Sequence, residues 1–178
     1  MTVEEIFNKL ASHMVEGIMY HDDMAKAYDF LALSGFARCH DYHHICETKS
    51  YRKLSHYYST HFHKLLKLEP LKQPQIVPDS WYKYKTTDVD IATKRSAVKE
   101  LMEKWVAWEI ETKVLYQSMR QELCAIGEVA AALYLECFIC DVDEELVWAQ
   151  KKQIKFETLG YDIGAIIQCS DALHKKYK

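Results

Sequence analysis

All three prolines of the chain, Pro70, Pro74 and Pro78, fall in one short interval, and no other interrupts the residues on either side. Proline removes a backbone donor and its ring collides with the preceding turn, so it is the strongest single bar to an α-helix. Confining it to one place leaves two long stretches free to be helical. Only 5 of the 178 residues are glycine, which removes the second common breaker from most of the chain.

The apolar spacing takes up that freedom. A first helix is expected over 3–34, where Ile6, Leu10, His13, Gly17, Met24, Tyr28 and Leu31 trace one stripe, Thr2 and the early acids cap the start, and Gly35 offers an exit. A second is expected over 41–68, carrying Tyr51, Leu54, Tyr58, Phe62 and Leu65 and stopping before Pro70. The segment LEPLKQPQIVPDSWYKYKTTD then changes character, with Ile76 and Trp81 as anchors for a crossover long enough to run the length of a bundle. The next helix is therefore not forced to run antiparallel to the previous one. A third helix is expected over 90–124, with Val98, Leu101, Met102, Trp105, Trp108, Leu115 and Met119 on its apolar side. Gly127 separates it from a fourth over 128–159, with Leu135, Ile139, Val142, Leu146 and Ala149 in register and Gly160 as a stop. A short fifth helix fits 162–176. The fold class is all-α: one domain over 1–178, a four-helix bundle with a long crossover between the second and third helices and a short C-terminal helix.

A formal charge of -3 gives no broad electropositive footprint, and the terminal HKKYK is too short a basic end to imply nucleic-acid binding. No apolar run approaches the ~20 residues that span a bilayer, and the opening MTVEEIFNKLASH has no basic-then-apolar secretory pattern. The expectation is a cytoplasmic protein with no membrane partner. Six cysteines are compatible with disulfides, but their placement in helices favours reduced thiols. Cys137 and Cys140, spaced as CFIC, are read as core rather than as a metal or redox pair.

Carboxylates and imidazoles bind transition ions when several helices converge them on one small volume. Asp23, His56 and Glu109 each lie near the middle of a different expected helix, and Glu144 and Glu145 stand on the fourth. Glu16 and Asp141 are alternative metal ligands. Iron, as one or two ions, suits such oxygen-rich donors better than structural zinc, which would call for a compact Cys/His quartet. The bland reading stands beside this one: Glu16, Asp23 and Glu109 face water, His56 is a hydrogen-bonded structural histidine, and His40, His43 and His44 are surface or interhelix polar groups. No organic cofactor is expected.

The segment LMEKWVAWEIETKVLYQSMRQELCAIGEVAAALYLECFICDVDEELVWAQ resembles the third and fourth helices of the non-haem ferritin family, and HDDMAKAYDFLALSGF is similar to its first. The resemblance implies oxidation of ferrous iron by oxygen or peroxide inside each bundle. It also implies assembly into a homo-oligomer, usually a 24-subunit cage storing ferric mineral, with co-assembly with another ferritin subunit as a further expectation. Carried over residue by residue, Asp23 stands for the first-helix Glu, His56 for the His of Glu-x-x-His on the second, and Glu109 for the third-helix Glu. Glu144 and Glu145 match acids of an accessory iron site. The sequence departs from the pattern at Lys53, in place of the bridging Glu, at Val142, in place of a Gln or Glu, and at Phe30, in place of a Tyr, although a register shift in the second helix would change the first of these. The implied function is iron binding or storage with reduced or unconventional ferroxidase activity. The alternatives are a non-catalytic structural subunit or a peroxide-reducing carboxylate-bundle enzyme; a DNA-protecting mini-ferritin fits less well.

Overall fold

In the computed structural model, which describes residues 1–177, helix α1 spans Val3–Phe30 and opens on a capping box. Thr2 Oγ1 accepts the Glu5 N–H at 3.2 Å, and the Glu5 carboxylate accepts the Thr2 N–H at 2.7 Å. The helix ends earlier than the expected 34, because the chain turns at Ala32 in the left-handed region (φ 57°). Gly35, expected as the exit, instead lies in the first turn of α2, Ser34–Phe62. A Cβ there would lie 1.7 Å from the carbonyl oxygen of Ser170, so only glycine admits this approach. The Gly35 N–H donates to Ser170 Oγ at 3.0 Å, so a neighbouring helix supplies the cap that Leu33 cannot. The second helix thus starts before the expected 41 and stops before 68, where His63 adopts φ 54°.

The crossover is stitched to α1. Asn8 Oδ1, Ser12 Oγ and Glu16 Oε1 accept the backbone N–H groups of Lys67, Glu69 and Lys72 at 2.8, 2.7 and 2.7 Å. Four-residue spacing puts all three acceptors on one face of the helix. Further along, Ile76 is buried and Trp81 stacks on Phe30 with centroids 5.1 Å apart, as anchors should. Short 3-10 turns at Asp79–Lys83 and Thr86–Asp88 lead to α3, Ile91–Ala125, which Asp90 caps through the Thr93 N–H at 2.6 Å.

A turn at Gly127 (φ 83°) leads to α4, Val129–Tyr134, and α5, Glu136–Thr158, separated by Leu135 alone where one continuous helix was expected. Gly160 stops α5, and Arg95 donates to the Gly160 and Tyr161 carbonyls at 2.7 and 3.1 Å. Helix α6, Ile163–Lys176, packs on the start of α2 through Gly35. The last residue of the basic end, Lys178, lies outside the described residues.

Short turns make α1 and α2 antiparallel, and likewise α3 and α4–α5. The Met1 ammonium, 3.1 Å from Glu122, puts the start of α1 beside the end of α3. Helices α2 and α3 therefore run in the same direction, which only a crossover as long as the bundle permits. The result is an all-α four-helix bundle with a short fifth helix. Among the described residues no helix is long and apolar enough to cross a membrane.

The core falls into two apolar clusters. One holds α1 from Tyr20 to Leu31, α2 up to Cys39, α3 from Ala97 to Val106, and α5 from Leu146. The other holds α1 from Ile6 to Met14, α2 from Leu54, α3 from Tyr116, and α5 up to Val142. Between them the bundle carries Gly17, His43, Glu47, Glu109, Thr112 and Glu145, so the apolar packing is interrupted at the same level on every one of the four helices.

Candidate metal centre

Three carboxyls lie in that layer on three helices, close enough for their charges to act on one another. Glu109 of α3 is 2% exposed, and its Oε1 accepts the Trp105 indole N–H at 2.9 Å. Glu47 of α2 is half-buried, but its Oε2 has neither solvent contact nor a hydrogen-bond partner. Glu145 of α5 lies 3.1 Å from Nδ1 of the buried His43. Burial pushes the carboxyls of Glu47 and Glu109 up to about 8, the Glu145 charge adding to each, while His43 acts in the opposite sense. Burial also works against a charge on His43, but Cys39 and Glu145 beside it outweigh that and hold the imidazole well above its ordinary value. Without a cation, the centre thus favours protonated Glu47 and Glu109 and a protonated His43. These are the groups that a metal ion displaces or replaces.

Aromatic and histidine side chains close the layer. Tyr116 is fully buried, and its phenol is raised first by burial and then by Glu47, Glu109 and Glu145, so it faces the acids. On the other side Trp108 is sandwiched between His13 and Tyr20, with centroids 4.6 Å from each. Tyr20 Oη and Trp108 Nε1 are buried without partners. Deeper in, His21 Nδ1 and His40 Nδ1 are 3.1 Å apart, and burial followed by neighbouring imidazoles keeps both rings neutral. Unpartnered polar atoms at this density are costly in a dry core.

A cleft of about 370 Å³ leads from the surface to the acids. His43, Glu47, Ser50, Val142 and Glu145 line it, with Asp141 and Glu144 among the acids of its wall and Trp148, Lys176 and Tyr177 beside them. Among the described residues, no three His, Cys, Asp or Glu side chains stand in metal-binding geometry as they lie. The donor set still suits a hard or borderline cation: three carboxyls, one imidazole, and an orphaned carboxylate oxygen facing the interior.

Of the residues singled out in the sequence, Glu109 and Glu145 belong to this group. Asp141 and Glu144 stand on the cleft wall, exposed. Asp23 lies elsewhere, its carboxylate 3.5 Å from the Lys26 ammonium, and the charges acting on Glu109 do not include it. His56 is exposed on α2, where its carbonyl accepts the Ser59 and Thr60 hydroxyls at 3.0 and 2.9 Å. Neither is brought together with Glu145 in the cleft wall or stands among the charges acting on Glu109. Glu16 accepts the Lys72 N–H and holds the crossover. Phe30 supports Trp81 and is remote from the acids.

The second-helix register also changes. Lys53 is exposed, and the carboxylate facing the acids is Glu47, followed three residues later by Ser50 where the Glu-x-x-His pattern places its imidazole. Stepping back from the buried Leu54 by alternating four and three residues gives Ser50, Glu47, His43 and His40. That periodicity was the signal in the sequence. Gly17 was readable only as part of a stripe: a Cβ on it would meet Glu47 Cδ at 3.3 Å and the Trp108 ring at 3.4 Å.

No protein-family model matches the chain, and no curated protein matches it in sequence. Solved structures do. The open-pore ferritin of the hyperthermophilic archaeon Archaeoglobus fulgidus superposes with a TM-score of 0.80 over 97% of this chain and 96% of its own, at 15% identity. A humanized archaeal ferritin gives 0.79 over 95% and 93%, also at 15% identity. An iron-soaked variant of PmFTN gives 0.76 over 94% and 96%, at 10% identity. The class is therefore defined by architecture: the chain has the ferritin-like fold. At these identities the likeness establishes the fold and leaves the chemistry to the residues.

Proposed function

We propose that this protein is a ferritin-like iron-binding protein that admits ferrous iron through the acidic cleft and holds a single ion between Glu47, Glu109 and Glu145, with His43 as the nitrogen donor. Oxidation by oxygen or peroxide at this centre, and storage of the product in a cage of like subunits, follow the fold's known use in the ferritins it resembles. The six cysteines, all unpaired, suit a reducing cytoplasm. One observation carries the reading: the core is interrupted at one level on all four helices, and three of the interrupting groups are carboxyls. A bundle gains nothing in stability from such a layer. Iron is the cargo here, and the layer supplies oxygen donors of the right class for it.

A second reading, a non-catalytic structural subunit, is favoured by the donors that are missing. Ser50 and Val142 offer no strong ligand where the resemblance places a His and a Gln or Glu. The two readings separate in crystals soaked anaerobically with Fe(II), exposed to oxygen, and measured at the iron absorption edge. One iron peak among Glu47, Glu109 and Glu145, lost in Glu109→Ala but retained in Asp23→Ala and His56→Ala, supports the first. An interior free of iron under full loading supports the second.

A further inference from the structure

The cleft is aromatic at one end. There the Lys176 ammonium lies over two rings at once, 5.7 Å from the centroid of Trp148 and 4.8 Å from that of Tyr177. Lys152 places a second ammonium 5.0 Å from Trp148, and the Tyr42 ring stands 5.1 Å from Tyr177. Tyr42, Trp148 and Tyr177 all line the cleft, so a primary ammonium of the chain itself already rests on its aromatic wall. The acids are strung out along α5 from that end. Asp141, Glu145 and Trp148 follow at four- and three-residue intervals on one face, with Glu144 beside them, and the first and last lie ~10 Å apart along the axis. Glu145 is engaged by His43, whereas Glu47, which also lines the cleft, has its Oε2 buried without a partner. The buried Phe138 and Val142 add an apolar floor. An inorganic cation has no use for the rings or for that floor. A short hydrocarbon chain with an ammonium at each end uses rings, floor and acids together.

We propose that this cleft binds a linear aliphatic diamine or polyamine. One ammonium takes the place of the Lys176 head on Trp148 and Tyr177, the methylenes lie along Val142 and Phe138, and the other ammonium ends among the carboxylates of Asp141 and Glu47. Lys176 is exposed on the last turn of α6 and acts as a tethered competitor, which a free amine displaces. The site goes beyond iron binding and needs no metal.

The test is isothermal titration of the metal-stripped protein with putrescine and with spermidine, the diol that matches putrescine and butylamine serving as the uncharged and the one-ended controls. The expected result is saturable binding of one amine per subunit, with putrescine about tenfold tighter than butylamine and no binding of the diol. Trp148→Leu and Asp141→Asn should each weaken putrescine about tenfold. Lys176→Gln should tighten it several-fold, while Lys175→Gln, which removes the same charge from an exposed position on the same turn, leaves it nearly unchanged. Asp141 is exposed, so its variant reads the site even if Trp148→Leu folds poorly, which circular dichroism and thermal melts reveal. No saturable binding at millimolar putrescine overturns the proposal. So does equal affinity for butylamine, or an affinity for putrescine that neither Asp141→Asn nor Lys176→Gln changes.

Discussion

Replacing Glu47 by Gln should make the protein more stable and at the same time unable to hold iron. In the folded state the Glu47 carboxyl is pushed from 4.5 up to about 8, first by burial and then by Glu145. A raised folded value means that the native state holds its proton more tightly than the unfolded chain does. The stability linked to this proton is therefore complete below pH 4.5 and is lost as the pH rises through 8. At pH 7 the unfolded chain has released the proton, and the penalty grows by ~1.4 kcal/mol per pH unit, about 3 kcal/mol for a fully enclosed group. Part of Glu47 faces the cleft, so screening reduces this to ~1–2 kcal/mol. Gln keeps the shape without the charge, although an unmatched amide N–H takes back up to ~1 kcal/mol. Urea unfolding at fixed protein concentration, with a chelator, should show the variant gaining ~1 kcal/mol on the parent at pH 8 and nothing at pH 4. Anaerobic Fe(II) at a hundredfold excess over its dissociation constant should then stabilise the parent by ~2.7 kcal/mol and leave the variant unmoved. Identical pH slopes for the two proteins would refute the electrostatic reasoning, and equal stabilisation by iron would remove Glu47 from the centre.

Burial, with Lys72 adding to it, lowers His13 from 6.5 to about 4, so the unfolded chain takes up a proton that the native state refuses. Stability should fall by ~3 kcal/mol as the pH drops through 6.5 towards 4, and His13→Phe, which preserves the stack on Trp108, should flatten that part of the unfolding profile. Gly35→Ala drives a Cβ into the Ser170 carbonyl at 1.7 Å, so the backbone of α6 must move. Limited proteolysis should cut α6 first, with ~2 kcal/mol or more lost from global stability; an α6 as resistant as the parent's would contradict the packing. Glu16→Ala should raise amide exchange at Lys72, whose N–H it accepts, and leave iron binding intact, whereas loss of iron would return Glu16 to the ligands.

The bundle was legible because helical periodicity and the confinement of proline are local signals, which neighbours in sequence carry by themselves. Ile76 and Trp81 announced the anchoring of the crossover through their apolarity in a polar stretch. The boundary at Gly35 was not legible: the glycine is required by the Ser170 carbonyl, far along the chain, and nothing beside it in sequence marks that contact. Which faces of α1 and α2 meet the polar layer was no more legible. Asp23 and His56 were chosen because they carry ligand chemistry near mid-helix, yet which side of a helix enters the core depends on a phase that drifts over a long helix. Glu109 is in phase with the buried Trp105 and Met102, and Glu47 and His43 are in phase with the buried Leu54, a phase that only the core packing reveals.

Gly17 bears most directly on how many ions the centre takes. Glycine inside a helix costs ~1 kcal/mol relative to alanine, so at mid-helix in α1 it signals a space already occupied. The occupant is Glu47: a Cβ on Gly17 would meet its Cδ at 3.3 Å and the Trp108 ring at 3.4 Å, and a full carboxylate side chain there would displace Glu47 outright. The space beside Gly17 on α1 is thus taken by the α2 carboxylate of Glu47 and the Trp108 ring. The remaining donors lie on α2, α3 and α5, where burial raises Glu47 and Glu109 and His43 acts in the opposite sense. The other acids of the cleft wall, Asp141 and Glu144, are exposed and stand outside this buried set. On the function proposed above, this arrangement would take one ion rather than two.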